Sequence, residues 1–152
     1  MKRIHAALVL GAGVLAAGAA WAHGGATGIV KERMDAMSDI GRNVKSIGQM
    51  IKGVAPYDPV KIANAGGAIA VHGGEALTEL FPEGSLQSPS EASPAIWTDW
   101  TKFSDLAANL QTSALALKTL ADQNADRKTV AGAFGKVAAT CKSCHEAFRI
   151  KK

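Results

Sequence analysis

The sequence predicts an all-α protein, an antiparallel four-helix bundle, and three observations support this fold class. Apolar residues recur at helical spacing over long segments, and no segment shows the strict alternation of a half-buried strand. Clusters of Gly, Pro, Asp and Ser separate the segments. The four segments have comparable lengths and mostly short connections, which favours an up-and-down bundle. A chain of 152 residues has room for one ordinary domain.

The N-terminal segment, residues 1–22, is predicted to be a signal peptide that is cleaved. Lys2 and Arg3 precede an apolar stretch, and the sequence AWA at residues 20–22 offers small residues at the two positions that signal peptidase reads. An uncleaved anchor is the alternative, but the stretch is short and rich in Gly and Ala for a membrane span. We therefore expect an exported, periplasmic protein whose single domain covers residues 23–152.

The first two helices are predicted on either side of a turn that contains Gly and Pro. Helix one covers residues 29–52. Helix two covers residues 59–80, with Asp58 as its N-cap and a proline at the first helical position. The Gly-Gly pairs at residues 66–67 and 73–74 weaken helix two, since each Gly costs about 1 kcal/mol relative to Ala.

A loop and two further helices complete the predicted bundle. The composition of residues 81–94 indicates a loop. Helix three covers residues 95–121, where large apolar residues recur at helical spacing. Asp126 is predicted to cap helix four, which carries Val130, Phe134 and Cys141 toward the C-terminus.

Charge and composition argue against several classes of partner. Removing the signal peptide lowers the basic count from 17 to 15, against 13 acidic residues. The basic residues are scattered, without the Lys/Arg block that nucleic-acid binding needs. No further apolar run is long enough to span a membrane. Both cysteines lie in one motif, so no disulfide framework is expected.

The motif "CKSCHEAFR" near the C-terminus carries the chemistry. Its Cys-x-x-Cys-His pattern, Cys141, Cys144 and His145, is typical of one covalently attached haem c. Two thiols on one helical turn can form thioether bonds while the adjacent imidazole reaches the iron. A zinc site would need about four ligands, and a thioredoxin-like redox pair would need a βαβ context. A simple disulfide would leave the histidine unexplained.

The position of the motif constrains the second axial ligand of the iron. Only seven residues follow His145, and none is Met or His. A protein ligand must therefore come from far upstream, and an open iron is the alternative. The candidates in the predicted mature chain are Met34, Met37, Met50, His23 and His72.

Helical periodicity favours Met37 among these candidates, although a Met on an apolar stripe is more often simple core packing. Met50 lies about 140° from Met37 around helix one. The residues within about 40° of Met37 are Val30, Arg33, Gly41, Val44, Gly48 and Ile51. The two glycines would let a flat macrocycle approach the backbone. Arg33 needs an anionic partner, for which a haem propionate would serve, unless it is a solvated edge charge.

These features resemble the class II cytochromes c, the cytochrome c' family. Four stretches carry the resemblance: "CKSCHEAFR", "KGVAPYD" at residues 52–58, "LFPEGS" at residues 80–85 and "SPAIW" at residues 93–97. The stretch "GRNVKSIGQMIKG" at residues 41–53 is most similar to the low-spin branch. The resemblance implies a four-helix bundle with haem at its core.

The resemblance also implies roles for two residues of helix one. The iron-facing position falls on Met37 and the haem-contacting arginine on Arg33. Low-spin members carry Met at the iron-facing position, whereas high-spin members carry a bulky apolar residue and bind nitric oxide or carbon monoxide. We expect a His/Met-ligated single-electron carrier, not an enzyme, with redox protein partners and a possible homodimer. A peroxidase would need distal acid-base groups, and helix one supplies no histidine there.

Overall fold

The computed structural model describes residues 25–150, and this part of the chain confirms the prediction of an all-α four-helix bundle. Its four long helices are α1 (Gly28–Ile51), α2 (Pro59–Ala70), α5 (Trp100–Asp122) and α6 (Arg127–Phe148). Two short helices, α3 (Glu75–Thr78) and α4 (Ala95–Thr98), lie in the connection between α2 and α5. The predicted signal peptide lies outside the described residues. None of the described helices has the length and apolar character needed to cross a membrane.

Helix α2 is shorter than the predicted 59–80, because the second Gly-Gly pair forms a turn against α5. A Cβ placed on Gly73 would lie only 2.8 Å from the backbone N of Gln111. Gly74 has a φ of 60°, and its N–H donates to the carbonyl of Ala107 at 2.8 Å. These glycines allow the chain to touch the backbone of α5, so α2 ends at Ala70 and the chain turns before α3.

The predicted third helix is also divided, here by Asp99. This residue has φ −131° and ψ 53°, outside the helical region, and its carboxylate accepts a hydrogen bond from the Lys102 N–H at 3.4 Å. The predicted residues 95–121 therefore form α4 and α5 with a cap between them. Asp126 caps α6 as predicted, because its side chain accepts hydrogen bonds from the N–H groups of Lys128 and Thr129.

The core contains an aromatic cluster at the end of the bundle where α6 terminates. The Phe103 ring is 2% exposed and meets Phe81 at 4.9 Å and Phe148 at 5.5 Å between centroids, both edge to face. Such pairs add about 0.5–1.5 kcal/mol beyond the burial of their area. The Trp97 indole N–H donates to the Phe81 carbonyl at 3.0 Å, which fixes the connection before α5.

Candidate functional site

The Cys-x-x-Cys-His motif lies on the last two turns of α6. Cys141 and Cys144 are half-buried and pack against the core, and both thiols are free. His145 follows on the exposed side of the same turn. Among residues 25–150, no group of three or more His, Cys, Asp or Glu side chains could hold a metal ion. The zinc alternative therefore finds no ligand set in this part of the chain.

Burial shifts the pKa values of the thiols and the imidazole in this turn in opposite directions. Burial raises the pKa of the Cys144 thiol to about 11, with a smaller effect from Cys141. Burial also raises the pKa of Cys141. Partial burial, followed by the charge of Arg149, lowers the pKa of His145. The imidazole is therefore neutral at neutral pH and has a lone pair available for a metal.

Helix α1 runs antiparallel to α6, and contacts at both ends establish this direction. Gly53 lies at the C-terminal end of α1, where an added Cβ would be 3.9 Å from the Arg127 guanidinium at the start of α6. At the opposite end, the N-terminal half of α1 and the end of α6 hold the same loop, through Arg33 and Arg149.

The register between the two helices is set by Gly48 and Phe134. A Cβ on Gly48 would lie 3.7 Å from the Phe134 ring. Met37 precedes Gly48 along α1 by the same number of positions as His145 follows Phe134 along α6. Each separation is about three helical turns, which gives about 16 Å of rise and returns to within about 20° of the same face. In an antiparallel pair this register puts Met37 and His145 at about the same level, with Met37 half-buried and His145 exposed.

Helix α1 is open on the stretch between Gly48 and Met37, where Gly41 is exposed. Gly41 lies between Gly48 and Met37 on the same stripe, and a Cβ there would meet nothing within 4 Å. Room beside Gly41, an apolar Met37, free thiols and a neutral imidazole together fit a covalently attached haem.

The structure separates two of the other candidate ligands, Met50 and His72, from this face. Met50 is 2% exposed and belongs to the core. The His72 Nε2 lies 3.6 Å from the Asp39 carboxylate. Asp39 is two residues beyond Met37, about 200° around the helix, so His72 is on the opposite side of α1. Met34 is half-buried, as Met37 is. His23 lies outside the described residues.

Arg33 is buried, with 4% of its surface exposed, and its guanidinium contacts the chain itself. Its N–H groups donate to the carbonyl of Leu80 twice, at 3.1 and 2.7 Å, and to the carbonyl and hydroxyl of Ser85, at 3.1 and 2.7 Å. A fifth bond, of 2.9 Å, reaches the hydroxyl of Ser90. Burial lowers the pKa of Arg33. A propionate contact stays a prediction and would require exchange of one of these bonds.

Sequence reasoning missed the partners of Arg33 and the contact made by Phe134. Two of the acceptor residues, Ser85 and Ser90, lie in a stretch whose composition indicated only a loop, and the third, Leu80, was predicted as the last residue of helix two. Phe134 was placed on the apolar stripe of the last helix, and nothing local shows which helix its ring would meet. One signal was available: the Gly48 stripe of α1 needed a large partner side chain, and Phe134 is the aromatic residue in the middle of α6.

Comparison with known proteins identifies the family. A family model described as Cytochrome C' matches residues 28–149. The chain belongs to the cytochrome c' family. Cytochrome c-556 from Agrobacterium fabrum is 35% identical over 152 residues, which cover 100% of this chain and 97% of the relative. Cytochrome c' from Rhodopseudomonas palustris is 34% identical, with 99% of both chains covered.

Solved structures of the cytochrome c' family share the fold. Cytochrome c' from Rhodopseudomonas palustris superposes with a TM-score of 0.75 at 34% identity, over 84% of this chain and 99% of that one. A nitric oxide complex of a cytochrome c' variant from Alcaligenes xylosoxidans matches with a TM-score of 0.72 at 30% identity, over 82% and 94%. The chain is thus a c-type cytochrome of an electron-transfer and gas-binding haem family, with one covalently attached haem c.

Proposed function

We propose that this cytochrome c' family member is a low-spin, single-electron carrier in which His145 and Met37 are the axial ligands. The observation that supports the proposal most directly is the Gly48–Phe134 contact, because counting 11 residues along each helix from it puts Met37 and His145 at about one level of the antiparallel pair. Haem, when bound, supplies the one-electron couple of its iron. Cys141 and Cys144 anchor it through thioether bonds.

The proposed ligands suit electron transfer better than catalysis or gas binding. Met and His ligation raises the reduction potential relative to harder donors. The imidazole of His145 is held on a continuous helix, and the half-buried Met37 side chain packs against the core from α1. Two ligands on rigid helices change position little between redox states, and they leave no open coordination position for a substrate.

The test is the optical spectrum of the matured ferric protein and of two matched variants. We expect wild type to show the sulfur-to-iron charge-transfer band of Met ligation. Met37→Leu should lose it and become high-spin, because the thioether sulfur is removed while side-chain volume is nearly kept. Met34→Leu, a control at the other half-buried methionine of α1, should keep it. A band that persists in Met37→Leu would refute the assignment, and its loss in Met34→Leu alone would move the ligand to Met34.

A second candidate is a high-spin, five-coordinate protein that binds nitric oxide or carbon monoxide. The similarity to a cytochrome c' variant solved as its nitric oxide complex favours this reading. It predicts a wild-type ferric protein without the sulfur-to-iron band and a ferrous protein that binds carbon monoxide without first releasing a protein ligand. The same spectrum therefore separates the two functions.

Export, partners and assembly complete the proposal. We infer that residues 1–22 are a cleaved signal peptide and that residues 23–152 form the periplasmic domain, as covalent haem attachment to an exported chain requires. The electron partners are redox proteins, and a homodimer remains a prediction. The mass of the purified protein reports the cleavage site and the attached haem together, and sedimentation reports the oligomeric state.

A further inference from the structure

The connection from α3 to α4 forms a strap, residues 80–93, that joins the two helices proposed to carry the axial ligands. On the α1 side, Arg33 holds the strap through the five hydrogen bonds to Leu80, Ser85 and Ser90. The Arg33 guanidinium carbon also lies 4.0 Å from the centroid of the Phe81 ring. A guanidinium has five N–H donors, and all five are used within this strap.

The end of α6 holds the other half of the strap. Arg149 donates to the Glu91 carboxylate through Nε at 2.9 Å and Nη2 at 2.6 Å. The Ile150 N–H donates to the Glu91 carbonyl at 2.8 Å, and the Ser93 N–H donates to the Phe148 carbonyl at 2.8 Å. Strap and helix end are thus joined by backbone and side-chain bonds.

The two attachment points lie beside the proposed axial ligands. Arg33 precedes Met37 by four residues, and Arg149 follows His145 by four residues. In antiparallel helices both offsets point toward the same end of the bundle, about 6 Å beyond the ligand level. The strap therefore spans the gap between α1 and α6 on the side that the Gly48–Phe134 contact does not close.

We propose that the strap sets the separation of α1 and α6 at the level of the iron, with Arg33 as the positioning residue. This inference rests on the proposed function, because the separation of α1 and α6 matters for ligation only if Met37 binds the iron. The strap holds α1 from one end of the gap and the Gly48–Phe134 contact holds it from the other, so the intervening segment of α1 has no freedom to move away from α6.

The planar, five-donor guanidinium of Arg33 distinguishes a positioning role in the strap from an effect of its positive charge. Leu80, Ser85 and Ser90 offer neutral oxygens in three directions, which a planar guanidinium with five donors can reach together. A lysine keeps the positive charge but has three donors on one atom, so it cannot bridge all three residues. A propionate role depends on charge, and lysine would retain much of it.

The experiment measures carbon monoxide association with the ferrous matured protein, whose rate is limited either by Met37 release or by access between α1 and α6. Arg33→Gln and Arg33→Lys should both accelerate association, by roughly tenfold or more, because several hydrogen bonds to a charged group are lost. Arg42→Gln is the matched control on the same helix, since Arg42 donates to Ser38 and Asp39 within α1. This control should keep the wild-type rate.

Each outcome decides the proposal. A wild-type association rate in Arg33→Lys alone would overturn the strap proposal and favour a charge role of Arg33 toward a propionate. Wild-type rates in both Arg33 variants would also overturn the proposal. If these variants fail to fold, Glu91→Gln weakens the exposed pair with Arg149 instead. That variant should accelerate association roughly two- to fivefold, and an unchanged rate would overturn the strap. The wild-type ferric spectrum tests Met37 ligation separately, so failure of the proposed function is recognised independently.

Discussion

Gly73→Ala tests whether the turn after α2 is determined by its contact with α5. The added Cβ would lie 2.8 Å from the backbone N and the Cβ of Gln111, and 2.9 Å from its Cα. An ordinary contact begins at 3.4 Å, so the two segments must move apart by about 0.6 Å. Gln111 lies inside the long helix α5, so its backbone cannot shift alone. The neighbouring hydrogen bond from Gly74 to Ala107 would be stretched as well.

Two effects of opposite sign determine how much Gly73→Ala changes the free energy of unfolding. Overpacking a closely packed site costs about 1–3 kcal/mol. Replacing glycine also restricts the unfolded chain, which offsets about 0.4–1 kcal/mol of that cost. The free energy of unfolding should therefore fall by about 1–2 kcal/mol, which corresponds to roughly 3–10 °C in the melting temperature of a domain of this size.

Urea and thermal unfolding of the matured protein, followed by circular dichroism, provide the measurement. Gly132→Ala is the matched control, because Gly132 is exposed within α6 and a Cβ there would meet nothing within 4 Å. This variant should gain up to about 1 kcal/mol from helix propensity. If Gly73→Ala were as stable as wild type or more stable, the close approach to Gln111 would not be what ends α2.

Two further predictions concern a helix cap and the core. Hydrogen bonds from the Thr129 side chain, and then from its N–H, lower the pKa of Asp126. The ionised Asp126 carboxylate therefore stabilises the fold at pH values above the ordinary pKa of Asp. Wild type should be more stable than Asp126→Ala at neutral pH, and this difference in the free energy of unfolding should vanish as acid protonates the carboxylate. Equal urea midpoints of the two proteins at neutral pH would contradict this. Phe103→Ala removes a ring that meets Phe81 and Phe148 and should cost about 3–5 kcal/mol in urea unfolding; a loss under about 1 kcal/mol would contradict the core assignment.

Local signals predicted the helices well, and the one long-range feature produced the largest error. Asp58 and Asp126 were predicted as N-caps, and both accept backbone hydrogen bonds at the start of their helices. The glycines at 73 and 74 were interpreted only as weak helix positions. Their actual requirement comes from Gln111, which lies on a different helix and far from Gly73 in the sequence. A single sequence carries no local signal for a backbone contact of that separation.

The same distinction applies to the candidate site. Covalent attachment needs two thiols and an imidazole within one helical turn, so the motif at Cys141 is readable from adjacent residues. The orientation of Met37 toward the iron stays a prediction from helical periodicity, and the structure leaves this side chain half-buried beside the buried Ala36 and Ile40. The hydrogen-bond acceptors of Arg33 could not be predicted from the sequence. Leu80 and Ser90 come from a loop distant in the sequence, and they bond through carbonyl and hydroxyl groups that most loops possess.

The proposed function then depends on a single atom, the sulfur of Met37. Met and Leu have similar volumes, and swaps between them in a core usually cost less than about 1.5 kcal/mol. The bundle can therefore hold either side chain at this level of α1 with the strap and the Gly48–Phe134 contact unchanged. Met37→Leu should accordingly convert a six-coordinate electron carrier into a five-coordinate gas binder while keeping most of its stability. A large loss of stability together with the loss of the sulfur-to-iron band would instead mean that the Met37–iron bond contributes substantially to holding α1 against α6.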